Sequence, residues 1–190
     1  YPDTHGYTFS SNSEENKNPM KYVKISSSIE ELPAGTFAFA DLTSFYIGPN
    51  VDYIGNGCFL DCDIADLVIP ANVNTVGAMS LGRQGGERGD SVINSMTVLN
   101  PNIAFNQGSH PLILNNKEVI VRAATGSTTE KRFTQDYTPK DNHPVIKFEA
   151  LNQSISEVAA MAQWAINNIY KDGESADLIL RAAQAQNANS

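Results

Sequence analysis

The sequence is poor in the residues on which many catalytic and metal sites depend. Its 190 residues include only two cysteines, three histidines and one tryptophan. The histidines share no spacing with each other or with a carboxylate pair, and no nucleophile-elbow, zinc-protease or phosphate-loop motif occurs. Two cysteines cannot form a closed zinc site. We therefore expect a protein that is not an enzyme and that uses no metal and no cofactor.

Basic residues and long apolar runs are also scarce. The 13 Lys and Arg against 21 Asp and Glu give a net charge of −8 and a pI near 4.8. Without a basic patch, we expect no nucleic-acid partner and no anionic membrane as the main partner. No run approaches the roughly 18 apolar residues of a membrane span, so we expect no membrane insertion. Because the chain begins at Tyr1, we expect a processed or excised piece, with any signal peptide or anchor outside it.

An internal repeat dominates the sequence. Segments 29–50 and 51–72 carry apolar residues at the same positions, a third copy begins at Val73, and a weaker fourth ends at 119–121. The strand-like cores of the four copies are Phe45, Leu67, Met96 and Val119, which gives spacings of 22, 29 and 23 residues. Each such unit buries its apolar face only against its neighbours. The period predicts a mainly β repeat solenoid with parallel strands.

The repeat resembles the BspA-like, or Treponema pallidum type, leucine-rich repeats. Those units read roughly I-G-x-x-A-F-x-x-C-x-x-L-x-x-I-x-I-P-x-x-V. The matching residues here are Ile54-Gly55, Cys58-Phe59, Cys62, Leu67, Ile69-Pro70 and Val73. The resemblance covers about 25–137, and 119–137 is similar to the last unit of the family. It implies an extracellular or cell-surface module for non-catalytic recognition or attachment, with a protein or glycan as partner.

The two cysteines fall on small positions of the repeat. Cys58 aligns with Thr36 and Ser80, and Cys62 aligns with Ala40. This alignment predicts two buried free thiols that behave as small apolar groups. A disulfide or a metal site is the alternative.

Alternation within each strand decides which side chains a partner can reach. Four pairs are predicted to point inward: Phe45 and Ile47, Leu67 and Ile69, Met96 and Val98, Val119 and Val121. Four pairs are predicted to point outward: Ser44 and Tyr46, Asp66 and Val68, Ser95 and Thr97, Glu118 and Ile120. The column Tyr46, Val68, Thr97 and Ile120 is more apolar than a solvated surface needs, which makes it a candidate contact face. The alternative is that these residues are good strand formers covered by the C-terminal helices of the chain.

The third repeat is interrupted by a loop at 82–95 that contains Arg88-Gly89-Asp90-Ser91. This tetrapeptide resembles the integrin-recognition motif, in which a guanidinium and a carboxylate stand at opposite ends of a tight glycine turn. Loops inserted into repeat proteins often carry binding. Arg88 and Asp90 are therefore candidate binding residues, with a solvated turn as the alternative.

The end of the chain has a helical pattern. Ser154 and Glu157 form a capping box, and an apolar stripe follows at Ile155, Val158, Ala162, Ala165 and Ile169. A second helix is predicted over 176–188. The helices either fold back as a cap on the solenoid or make a homo-oligomer, and we favour the oligomer. In that case an alternative function is a structural component of a virion fibre or surface layer.

The predicted organisation has four parts. Residues 1–24 are an extended lead-in or cap, in which 20–25 alternate like a first strand. Residues 25–137 are the solenoid, 138–150 are a linker, and 151–190 are the helical element.

Overall fold

The computed structural model describes residues 21–151, except for 41, 43, 63, 82–92, 107–117 and 139–143. In chain order the elements are β1 (Tyr22–Lys24), β2 (Glu31–Leu32), β3 (Ser44–Tyr46), β4 (Tyr53–Ile54), β5 (Asp66–Ile69), β6 (Thr75–Val76), β7 (Ser95–Val98), β8 (Ala104–Phe105), β9 (Glu118–Ala124), α1 (Thr128–Thr134) and β10 (Val145–Leu151). Strands dominate this part of the chain, as the repeat predicted.

The strands form two parallel sheets. The larger has the order β1-β3-β5-β7-β9-β10 and the smaller the order β2-β4-β6-β8. Each of the first four repeats contributes one strand to each sheet, so neighbouring strands belong to successive repeats. The predicted parallel arrangement is confirmed.

The strand register confirms most of the predicted period and corrects its end. Val23 pairs with Phe45 and Leu67 pairs with Met96, at offsets of 22 and 29 residues. Met96 then pairs with Val121, not with Val119, so the last predicted offset of 23 is wrong by two residues. A slide of two residues keeps every side chain on its face of the sheet. The alternation along β9 therefore cannot reveal the error.

The core lies between the sheets, and the inward rows fill it as predicted. All eight residues predicted to point inward are at most 1% exposed. Phe37, Phe45 and Phe59 form a three-ring cluster with centroids 4.7 to 6.0 Å apart. Aromatic groups of this size supply much of the apolar area that stabilises a small core.

Besides the two sheets, a ladder of backbone hydrogen bonds joins the turns of neighbouring repeats. Gly35 N donates to Asn56 O at 2.9 Å, and Phe37 N donates to Cys58 O at 3.0 Å. One repeat later, Gly57 N donates to Ala78 O at 2.9 Å. The glycines of this ladder have positive φ, 66° at Gly35 and 62° at Gly57, a region that glycine enters without penalty.

The last repeat replaces the short strand with a helix. Ser127 caps α1 by accepting a bond from Glu130 N at 3.1 Å, and the Glu130 carboxylate accepts one from Gly126 N at 2.6 Å. This pattern is similar to a capping box, except that the carboxylate accepts from the residue before the cap and not from Ser127 itself. Thr128 N donates to Pro101 O of the preceding repeat at 2.9 Å. The helix is thereby tied to the turn that precedes β8.

Residues 145–150, which the sequence analysis assigned to a linker, belong to β10. This strand pairs with β9 over its full length, from Val145 opposite Glu118 to Leu151 opposite Ala124. The polar residues and prolines before Val145 suggested a linker, but the alternating pattern after them is that of a strand. The predicted helical element is 151–190. Leu151 is the last residue of β10, and 152–190 lie outside the described residues.

Candidate binding face

The outward side of the larger sheet carries two rows of side chains that cross every repeat. We call this side the outward face. The register defines its first row as Lys24, Tyr46, Val68, Thr97, Arg122 and Glu149. Its second row includes Tyr22, Asp66, Ser95, Ile120 and Lys147. In the backbone register, Ser44 pairs with Tyr22. Parallel pairing brings these residues together although they are 22 to 29 positions apart in sequence.

The structure moves one residue of the predicted apolar column. Tyr46, Val68 and Thr97 are neighbours, as predicted, but the next residue in that row is Arg122. Ile120 lies beside Ser95 in the second row. Glu118 pairs with Val145, at the edge of the face. The apolar part of the first row is therefore three strands wide and ends at a guanidinium.

The middle of the first row is only partly covered. Tyr46, Val68 and Thr97 are each half-buried. Lys24 places Nζ 5.7 Å from the centroid of the Tyr46 ring, within the range of a cation–π contact. This contact places a positive charge over the Tyr46 ring, at one end of the row that continues with Val68 and Thr97.

The second row is more polar and more closed. Ser95 is 7% exposed, and its hydroxyl donates to the Asp66 carboxylate at 2.5 Å. Ser95 was predicted to be available to a partner, and the structure buries it instead. The hydrogen bond explains this burial, because a buried hydroxyl requires a partner. Asp66 remains half-buried at the surface.

The far end of the face holds an ion-pair cluster that the sequence analysis missed. Arg122 Nε lies 2.9 Å from Glu149 Oε2, and Lys147 Nζ lies 3.3 Å from Glu149 Oε1. The hydrogen bond from Lys147 lowers the pKa of Glu149, and Arg122 lowers it further. Both side chains of the Arg122–Glu149 pair are about one-third exposed, 34% and 36%. Only the β9–β10 register brings these charges together, so no sequence pattern identified them.

The two cysteines lie on the opposite side of the sheet, in the core. Both are buried and free, as predicted. Cys62 Sγ donates to Phe37 O at 3.0 Å. Burial raises the pKa of the Cys58 thiol, and the neighbouring Cys62 raises it further. A buried, protonated thiol is a poor nucleophile and a poor metal ligand.

The described residues contain neither a cluster of metal-binding side chains nor a membrane-spanning helix. No group of three or more His, Cys, Asp or Glu side chains among them could hold a metal ion. Within the same part of the chain, no helix is long and apolar enough to cross a membrane. Arg88 and Asp90, and the stripe from Ile155 to Ile169, lie outside the described residues.

Parallel strands that recur once per repeat, each followed by a turn, are the architecture of the leucine-rich repeat class. Residues 6–84 match the family described as "BspA type Leucine rich repeat region (6 copies)". This part of the chain is a region of BspA-type leucine-rich repeats. Repeats of this type suggest a protein-interaction or surface module.

The match begins inside the segment 1–24 that the sequence analysis treated as a lead-in, and it ends at residue 84. The repeats from Ile93 onward are therefore assigned by the structure, through the strand pairing of β7, β9 and β10 with the earlier strands. No curated protein and no solved structure matches the chain.

Proposed function

We propose that this chain is a non-catalytic recognition module that binds a protein partner at the cell surface or outside the cell. In this proposal the repeats form a short solenoid, and the outward face makes the contact. The observation that supports it is the row of Tyr46, Val68 and Thr97, half-buried side chains aligned across three strands. Aromatic and branched side chains with little exposed charge are typical of the centre of a protein interface.

The charges at the ends of the row support a protein partner. Lys24 stands at one end, and Arg122 with Glu149 stands at the other. Charges at the rim of an interface steer association and select among partners, while the apolar centre supplies most of the affinity. The outward face would therefore complement a partner surface that has an apolar centre and charges of both signs at its edge. A glycan is the alternative partner, since Tyr46 could stack against a sugar ring.

The test compares two matched double variants. Tyr46→Ser with Val68→Ser changes two of the three residues at the middle of the first row. Tyr53→Ser with Thr75→Ser changes an aromatic and a β-branched residue paired in the smaller sheet. Both variants and the unmodified chain are tested by surface plasmon resonance against purified extracellular-matrix and cell-surface proteins, and in parallel on a glycan array.

We expect a protein partner whose affinity falls at least about 30-fold, or 2 kcal/mol, in the Tyr46 and Val68 variant and changes little in the control. Equal binding by both variants would place the contact elsewhere. Binding to glycans alone would replace the protein partner with a carbohydrate. Circular dichroism checks that both variants keep their β-sheet content.

A further inference from the structure

The turn that follows β4 contains the only Asn-Gly pair in the sequence, Asn56-Gly57. In such a pair the backbone nitrogen of the glycine can attack the side-chain amide of the asparagine, because glycine has no Cβ to hinder the approach. Asn56 is exposed, and Gly57 is half-buried. The pair therefore has the residue types and the access to water that spontaneous deamidation requires.

This reaction needs only water. Gly57 N gives up its proton to water and forms a bond to Asn56 Cγ, and the side-chain nitrogen leaves as ammonia, which closes a succinimide ring. Water then opens the ring at either carbonyl. Cleavage between the nitrogen and Cγ gives aspartate with a normal backbone. Cleavage between the nitrogen and the backbone carbonyl carbon gives isoaspartate, in which the main chain runs through Cβ and Cγ.

Both reacting groups are bound to the next repeat. Gly57 N donates to Ala78 O at 2.9 Å, and Asn56 Oδ1 accepts from Ala78 N at 2.8 Å. The nitrogen of a succinimide carries no hydrogen, so ring closure necessarily breaks the bond from Gly57 N. That bond belongs to the ladder between the second and third repeats, and Ala78 O loses its donor when it breaks.

We infer that Asn56-Gly57 is a deamidation site that its bonds to Ala78 keep closed, and that isoaspartate there loosens the joint between the second and third repeats. The aspartate product keeps an oxygen that accepts from Ala78 N. The isoaspartate product lengthens the main chain and moves Gly57 N away from Ala78 O. It also turns Asn56 O, which accepts from Gly35 N at 2.9 Å, into part of a carboxylate outside the main chain. This inference does not depend on the proposed function.

Peptide mapping of the full-length chain by mass spectrometry tests the reactivity of the site. The chain is kept in mildly alkaline buffer with and without guanidinium chloride, and the peptide that contains Asn56 is followed over time. We expect deamidation at Asn56 in the unfolded chain and a rate at least about tenfold lower in the folded chain, because the turn must open first. Equal rates would overturn the closure by Ala78. No reaction in the unfolded chain would show that the pair is not a modification site.

Matched variants distinguish opening of this turn from unfolding of the whole chain. A Cβ on Gly77 would stand 2.6 Å from Asn56 N and from Asn56 Oδ1, so Gly77→Ala disturbs the closed turn directly. Asn100→Ala removes a hydrogen bond to Val73 O in a different joint. The two variants are compared at denaturant concentrations that give them equal free energies of unfolding. We expect Asn56 to react at least about tenfold faster in Gly77→Ala. Equal rates would overturn the role of the contacts with Ala78.

Hydrogen exchange provides a measurement that needs no destabilised variant. In the unmodified chain, the protection of Gly57 N against exchange should equal the slowing of deamidation within about threefold, since one opening permits both. Fast deamidation with a protected Gly57 N would overturn the inference. In the purified isoaspartate fraction, Gly35 N should exchange at least about tenfold faster than in Asn56→Asp, which represents the aspartate product. Equal exchange in these two proteins would show that the modification does not loosen the joint.

Discussion

Met79 adopts the same left-handed backbone conformation that Gly57 adopts one repeat earlier, with φ of 56° and 62°. Gly35 holds this conformation in the repeat before, with φ of 66°. The two glycines also share a hydrogen bond to the next repeat, since Gly35 N donates to Asn56 O and Gly57 N donates to Ala78 O, each at 2.9 Å. The third repeat thus keeps a backbone shape that glycine favours while carrying a methionine.

The strain at Met79 leads to the first prediction. Replacing Met79 with glycine should raise the free energy of unfolding by up to about 1 kcal/mol, because the left-handed region costs a residue with a Cβ roughly 1–2 kcal/mol. The gain stays below the full cost of the strain, since Met79 is only 36% exposed and the packing of its side chain is lost. Urea unfolding followed by circular dichroism measures the change. The control is Ala78→Gly at the neighbouring residue, which should lower stability by about 0.5–1 kcal/mol. A loss of stability as large as that of the control would mean that relief of the strain does not outweigh the loss of the side chain.

The second prediction separates two reasons for glycine in the repeat. A Cβ on Gly55 would stand 2.5 Å from Ala34 N, and a Cβ on Gly77 would stand 2.6 Å from Asn56 N, both backbone atoms of the preceding repeat. A Cβ on Gly57 would meet nothing closer than Leu60 Cβ at 3.9 Å. Gly55→Ala and Gly77→Ala should therefore push the repeats apart and cost about 3 kcal/mol, the upper end for overpacking.

Gly57→Ala is the matched comparison for these two variants. It should cost about 1 kcal/mol, from the positive φ alone. Urea unfolding of all three variants measures how much stability each one loses. Equal losses at the three positions would show that close contact between the repeats is not what excludes a side chain at Gly55 and Gly77.

The third prediction is a pH dependence caused by Cys58. Burial raises the pKa of this thiol in the folded protein, with a further contribution from Cys62. The unfolded chain releases the proton near the ordinary value of about 8.5, while the folded protein retains it. Below about pH 8.5, Cys58 is therefore protonated in both states and does not change the free energy of unfolding. Above that pH the free energy of unfolding falls, by up to about 1.4 kcal/mol per pH unit.

Urea unfolding between about pH 7.5 and 9.5 measures this slope. Cys58→Ser is the matched variant, because the aligned residues Thr36 and Ser80 already bear hydroxyls that donate to turn carbonyls. We expect the variant to fold and to have a shallower slope. An unchanged slope would assign the alkaline loss of stability to other groups.

The repeat period predicted part of the fold, and the alternation within each strand left the register open. The parallel strands, the inward rows and the buried thiols were predictable, because a 22-residue period aligns each apolar residue with its equivalent in the next repeat. The residue opposite Met96 in the next strand was not predictable. Val119 and Val121 are both apolar, and a shift of two residues in register leaves the alternation unchanged.

The charged end of the candidate face was hidden for the same reason. Arg122 and Glu149 are 27 positions apart, and their contact exists only because β10 extends the sheet in register with β9. Strand β10 follows a polar segment that lacks the repeat pattern, so the repeat period did not predict it. Contacts between side chains of different strands depend on register, which composition and spacing specify weakly in a short last repeat.

The last prediction concerns a set of asparagines that join neighbouring repeats. Asn100 Nδ2 donates to Val73 O at 2.8 Å, and Asn50 Nδ2 donates to Ser27 O at 2.6 Å. Asn100 is 8% exposed and its Oδ1 also accepts from Asn102 N at 2.9 Å, whereas Asn50 is exposed.

Asn100→Ala should cost about 2–3 kcal/mol, because a buried carbonyl loses its donor and cannot reach water instead. Asn50→Ala should cost less than about 1 kcal/mol, because water can replace the amide. Urea unfolding of the two variants compares the same chemical change at a buried and an exposed position. A loss of equal size at both would mean that the bond itself, and not the burial of the carbonyl, sets the contribution of these asparagines to stability.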